Sequence, residues 1–187
     1  MKRIISVLLA MLSVVLVSAQ ESKLVNLQTE VRFDYQREYL NGDAVKSNSG
    51  FKGKYLNVIL NGSFNEHFSY SYRQRLNKAH ADQSFFDATD WIYLTYKLNK
   101  NWSFAGGKQV VGIGGYEYDR APIDLYFCSE YWNNIPCYQF GVSTTYTTNS
   151  GKDSFMAQFC ESPFNFRNED LYAYNLMWYG SHGWFNT

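Results

Sequence analysis

Apolar and polar residues alternate one by one along most of this chain. Within residues 88–111, Ile92, Leu94, Tyr96 and Leu98 share one parity, and Trp91, Tyr93, Thr95 and Lys97 share the other. A period of two marks a strand with one oily and one amphipathic face. Asn99-Lys100-Asn101 makes a tight polar turn and Trp102 restarts an aromatic-rich strand, so the stretch predicts a hairpin. Tyr96 and Trp102 flank that turn, where an aromatic belt would sit if the oily face met lipid.

The same alternation predicts strands over 25–38, 51–61, 68–76, 137–146, 153–160 and 171–179, with Trp184-Phe185 opening a ninth. In the third of these, Phe68, Tyr70 and Tyr72 point one way and Ser69, Ser71, Arg73 and Arg75 the other. An arginine facing lipid at mid-bilayer costs roughly 2–4 kcal/mol, so two on one strand turn that face toward water. The expected connections alternate in length: 40–50, 77–87 and 112–136 are long, and 62–66, 99–101 and 147–152 are short. Tight turns at one end and long loops at the other are the sidedness of an outer-membrane barrel. The reading is all-β: an antiparallel transmembrane β-barrel with about eight strands present. A closed eight-stranded barrel with a structural or lipid-modifying role is one alternative, and a secreted β-barrel that binds a ligand is another.

Composition sharpens this picture in two places. Of 187 residues, 19% are aromatic, including 16 Tyr, which suits strands and membrane interfaces and argues against disorder. Lys2-Arg3, an apolar run over 4–17 and the small residues Ser18-Ala19 predict a cleaved signal peptide at 1–19, too short for a spanning helix of about 20 residues. Residues 20–187 then form one domain. The formal net charge is zero, without the basic excess that nucleic-acid binding needs.

Several phrases in order carry a family resemblance: Phe-Lys-Gly-Lys-Tyr-Leu-Asn at 51–57, Phe-Ser-Tyr-Ser-Tyr-Arg-Gln-Arg-Leu-Asn at 68–77, Asp-Trp-Ile-Tyr-Leu-Thr-Tyr at 90–96 and Gly-Lys-Gln-Val-Val at 107–111. They resemble the N-terminal half of phosphate-selective-porin-like outer-membrane proteins, over about residues 25–187. The resemblance implies a sixteen-stranded barrel in the outer membrane of a Gram-negative bacterium, a homotrimer when full length, passing small anionic or polar solutes such as phosphate. It also implies a third outer loop folded inward, which by count is 112–136. With about half the strands present, the chain is expected to be the N-terminal part of a porin domain.

Candidate chemistry follows from the faces. Arg73 and Arg75, and with them Arg32, are pore-lining candidates that would draw anions into the lumen. The competing reading pairs them with Glu30, Asp34 or a neighbour. Lys52 and Lys54 share parity with Leu56, which predicts a solvated rim. On the family's account Asp119, Arg120 and Asp124 form a constriction; otherwise the loop is held by its own Asp–Arg pair. Cys128 and Cys137 bracket the end of the long loop, and a disulfide there would contribute about 3 kcal/mol and leave Cys160 free. Gly112-Ile-Gly-Gly has no βαβ setting, so it reads as a sharp turn and not a dinucleotide fingerprint. The three histidines lack metal-ligand spacing and no catalytic constellation occurs, so neither metal, cofactor nor enzymatic activity is expected. The expected partners are outer-membrane lipid and small solutes.

Overall fold

The computed structural model describes residues 24–78, 84–115, 117–118, 124–125, 127–165 and 170–186. The expected signal peptide therefore lies outside the described residues. Nine strands follow one another: β1 Asn26–Leu40, β2 Asp43–Ser63, β3 Phe68–Arg75, β4 Thr89–Lys97, β5 Trp102–Val110, β6 Tyr138–Thr147, β7 Asp153–Glu161, β8 Tyr172–His182 and β9 Phe185–Asn186. Among the described residues, a short helix, α1 Glu130–Asn134, interrupts the longest connection. The strands form a single antiparallel sheet in sequence order. Among the described residues, β1 pairs only with β2 and β9 only with β8, so the sheet is not closed.

The register makes two continuous faces. Leu60, Tyr72, Ile92 and Lys108 stand in one cross-strand row, and Tyr70, Leu94, Gly106, Val142, Phe159 and Tyr174 in the next. The opposite face carries rows such as Gln28, Ile59, Arg73 and Trp91. Burial is the reverse of a soluble core. Leu176 is 84% exposed and Tyr174 82%, while Asn57, Arg73, Asp90, Gln109 and Gln158 are buried. A contiguous exposed apolar face over buried polar groups is the pattern of a strand wall between lipid and water. Lys108, the one cation in those outward rows, turns its ammonium to the carbonyls of Phe86 and Thr89, at 2.6 and 2.8 Å, and so leaves the apolar surface.

The two ends of the sheet differ. At one end the connections are short and bonded to their neighbours: Lys97 N–H donates to His67 O at 2.7 Å, Thr147 N–H to Asn101 O at 2.7 Å and Ser181 N–H to Lys152 O at 2.8 Å. There Phe68 and Tyr96 lie 4.9 Å apart and Trp102 and Tyr146 5.0 Å apart, ring centre to ring centre, so aromatic rings gather at the end where the sequence placed Tyr96 and Trp102.

At the other end one expectation is corrected. Residues 43–50 are strand and not loop: Glu38 pairs with Val45, Tyr39 with Ala44 and Leu40 with Asp43. The turn is Asn41-Gly42 alone, with φ of 52° and 92°. Two successive positive φ values define the type I′ turn that joins strands most tightly, and Asn-Gly is its preferred pair.

Two register shifts re-aim side chains. In β2 the pairing steps from Arg32↔Tyr55 to Phe33↔Gly53, so Lys54 is the extra residue of a bulge. Beyond it Lys52 lies opposite Asp34, on the buried polar face. That corrects the parity that grouped Lys52 with Leu56. In β4 the pairing steps from Arg73↔Trp91 to Gln74↔Thr89 and leaves Asp90 over. This second bulge builds the charged cluster described next.

Candidate functional site

Four strands bring one charged cluster together on the polar face. Arg73 on β3 places Nη2 3.2 Å from Glu30 Oε2 on β1 and Nε 3.1 Å from Asp90 Oδ2 on β4. Arg75, two residues along the same face, puts Nε 2.7 Å from Asp90 Oδ1. Asn57 on β2 donates to Glu30 at 2.9 Å. Strict alternation would send Asp90 to the exposed apolar face, opposite to Trp91. The bulge turns it inward instead, so one carboxylate serves both arginines. The Arg73 guanidinium also lies 4.9 Å from the Trp91 ring centre, a cation–π contact strengthened by its burial, with 2% of the residue exposed.

Both arginines are paired within this cluster. Arg73 and Arg75 do stand on the polar face, but as ion pairs within the wall. Two positive charges meet two negative ones, which removes the local excess that would draw anions. Arg32 is engaged as well. Its Nε donates to Asp34 at 2.8 Å, and its Nη1 donates to the Leu125 carbonyl at 2.6 Å.

That last bond shows where the long connection goes. The chain leaves β5 at Val110, and Gly112 N–H donates to Gln158 Oε1 on β7 at 2.8 Å. Gln158 returns a bond from Nε2 to Val110 O at 2.8 Å. A Cβ on Gly112 would stand 3.0 Å from Met156 Cε and 3.2 Å from Met177 Cγ, so the backbone lies against the polar face of β7 and β8. Leu125 then lies against Arg32 on β1. The connection is thus held at β7–β8 and at β1, on the same face. Of the expected constriction residues, Asp124 is exposed and adjoins the carbonyl that Arg32 holds, while Asp119 and Arg120 lie outside the described residues.

Within the loop, Ser129 caps α1 by accepting from Trp132 N–H at 3.2 Å, and Glu117 accepts from Ser129 N–H at 2.7 Å. Tyr118 stacks edge-on to Trp132, 4.9 Å between ring centres. Burial pushes the Tyr118 phenol above its ordinary value, with Cys137 and Tyr131 adding to the rise. Burial raises the Cys128 thiol too, Glu117 adds to it, and Arg32 opposes it. No disulfide joins Cys128 to Cys137, so that expected bridge is not made here. The described residues form no cluster of metal ligands.

The family described as phosphate-selective porin O and P matches the chain over residues 25–183. The chain belongs to that family. Neither a curated protein nor a solved structure matches it. In this porin-family chain sequence reasoning named Glu30, Arg73 and Arg75, but missed Asp90, Gln158 and the tether made by Arg32. A carboxylate breaking the alternation immediately before Trp91 was the available signal for Asp90. Nothing in the sequence pairs Arg32 with a carbonyl 93 residues away. A concavity of about 780 Å³ lies on the apolar face around Gly106 and is lined by side chains such as Leu94, Phe104, Val142 and Leu176. Lipid covers it if that face meets the bilayer.

Proposed function

We propose that this chain forms part of the wall of an outer-membrane porin that passes small polar solutes by passive diffusion. The observation that carries the reading is the division of the sheet. One face is exposed and apolar across every strand from β1 to β8, and the other is polar with the long connection strapped over it. Porin-type conduction needs that arrangement: hydrocarbon outside, water and polar side chains inside, and a loop that narrows the passage.

The open edges of β1 and β9 need partners in lipid, since each unpaired backbone group there costs several kcal/mol. Further strands, from continuing chain or from other copies, complete the barrel in this proposal. Assembly as a homotrimer in the outer membrane of a Gram-negative bacterium belongs to the same reading, which rests on the family. An anion or phosphate preference draws its support from the family alone, because Arg32, Arg73 and Arg75 are each paired with a carboxylate. Insertion of the full-length protein into planar bilayers tests the core of the reading. Stepwise ionic current supports it, and protein that inserts and unfolds cooperatively but passes no current rejects it.

A further inference from the structure

The concavity on the apolar face is not imposed by the backbone. Gly106 stands between Leu94 and Val142 in one cross-strand row, and Ala157 between Thr144 and Leu176 in the next. The neighbouring Gly107 needs its glycine, since its φ is 130° and a Cβ there would strike the Ile92 carbonyl. Gly106 does not. Its φ is not left-handed, and a Cβ there would rest 3.9 Å from Val142 Cγ1, an ordinary contact. Glycine inside a strand weakens it and often marks a place where a ligand comes close. At about 780 Å³ the space falls within the range of roughly 300–1,000 Å³ of sites that hold a small ligand.

Position and charge point to the occupant. One row nearer the short turns stand Trp102, Tyr146, Phe155 and Trp178, and Trp and Tyr are the residues that collect at a membrane interface. Alternate residues on a strand are about 7 Å apart, so the space begins about that far inside the ring row, at the depth of acyl chains. Beyond the ring row, the Asn101 side-chain amide joins two turns, donating to Thr147 O at 2.7 Å and to Asn149 Oδ1 at 3.0 Å. Within residues 97–101 and 147–153 the charged residues are Lys97, Lys100, Lys152 and Asp153. Lys97 has the parity of the polar face, whereas Lys100 and Lys152 are exposed on the turns. Asp153 accepts from Trp178 Nε1 at 2.9 Å and lies 2.7 Å from His182 Nε2. An apolar space inside the ring row and two ammonium groups outside it complement a lipid with a net negative headgroup.

We propose that this concavity seats an acyl chain of an anionic glycerophospholipid whose phosphate lies at Lys100 and Lys152. The proposal rests on reading the sheet as a membrane wall and adds a lipid partner to that wall. The test is native mass spectrometry of the full-length protein in detergent, with phosphatidylglycerol and phosphatidylcholine of identical chains as probes. Phosphatidylglycerol is expected to be retained about tenfold more tightly. Gly106→Leu and Ala157→Phe fill the space, and each is expected to weaken phosphatidylglycerol retention about tenfold. The double variant Lys100→Gln, Lys152→Gln changes only the turns and is expected to abolish the preference between the two lipids. Equal retention of both lipids by the unmodified protein overturns the site, and so does a preference that survives in the lysine variant. Unchanged retention in a filled variant that still unfolds cooperatively also overturns it. Loss of assembly in a filled variant, with lipid retention intact, assigns the space to a second copy of the chain and overturns the lipid. Failure of the unmodified protein to insert into bilayers overturns the membrane wall itself.

Discussion

Asp90 Oδ1 lies 2.7 Å from Arg75 Nε, and its other oxygen lies 3.1 Å from Arg73 Nε. A single bulged residue thus pairs with two cations on the neighbouring strand, and Glu30 supplies the second negative charge. Removing one partner of a buried pair leaves a charge uncompensated and typically costs about 3–5 kcal/mol. Asp90→Asn is therefore expected to lower the stability of the folded protein by about that amount, read from urea unfolding in liposomes by tryptophan fluorescence. Replacing Arg73 by Gln in the same background should recover part of the loss, because it removes the stranded charge. A double variant no better than the single one contradicts the pairing.

Arg32 joins β1 to the long connection through Asp34 and the Leu125 carbonyl. Arg32→Ala removes both bonds without touching the strand ladder. The expected outcome is a larger and noisier single-channel current, as the strap moves off the polar face. An unchanged current shows that the strap does not narrow the route.

The lipid face makes its own prediction. Leu94→Arg places a cation amid exposed apolar side chains and is expected to cost roughly 2–4 kcal/mol if the site is near mid-bilayer. Thr145→Arg, on the opposite face, is expected to cost less than half as much. Equal costs in unfolding measurements contradict the division of faces.

Thiol chemistry tests the loop. Burial and Glu117 raise the Cys128 thiol above its ordinary range. At a given pH less of it is thiolate, and thiolate is the reactive form. In a Cys137→Ser, Cys160→Ser background, iodoacetamide is expected to label Cys128 more slowly than it labels a cysteine in a short peptide. The rate should keep rising at pH values where the peptide rate has levelled off. A rate equal to the peptide's across the pH range contradicts the half-buried placement.

Much of the wall was legible because alternation is a local signal. Ile92, Leu94 and Tyr96 declare a face without reference to any other part of the chain, and the structure keeps them on one face. The belt of Phe68, Tyr96, Trp102 and Tyr146 was readable for the same reason. Bulges are not local in that sense. The extra residues Lys54 and Asp90 are set by how two strands register, so the true faces of Lys52 and Asp90 could not be read from parity. The 43–50 segment was misread because its strand pairs outside the alternating pattern, although Asn41-Gly42 announced the turn. The path of the loop depends on single bonds between distant residues, such as Arg32 with Leu125, which leave no period in the sequence.

The most direct test places a fluorescent probe at position 94 and, separately, at position 95 of the otherwise cysteine-free protein in liposomes. Leu94 and Thr95 are neighbours on β4 with opposite facing. Brominated lipid chains should quench the probe at 94 strongly and the probe at 95 weakly, and aqueous iodide should do the reverse. Equal quenching at the two positions, or the inverse order, would contradict a sheet with hydrocarbon on one side and water on the other.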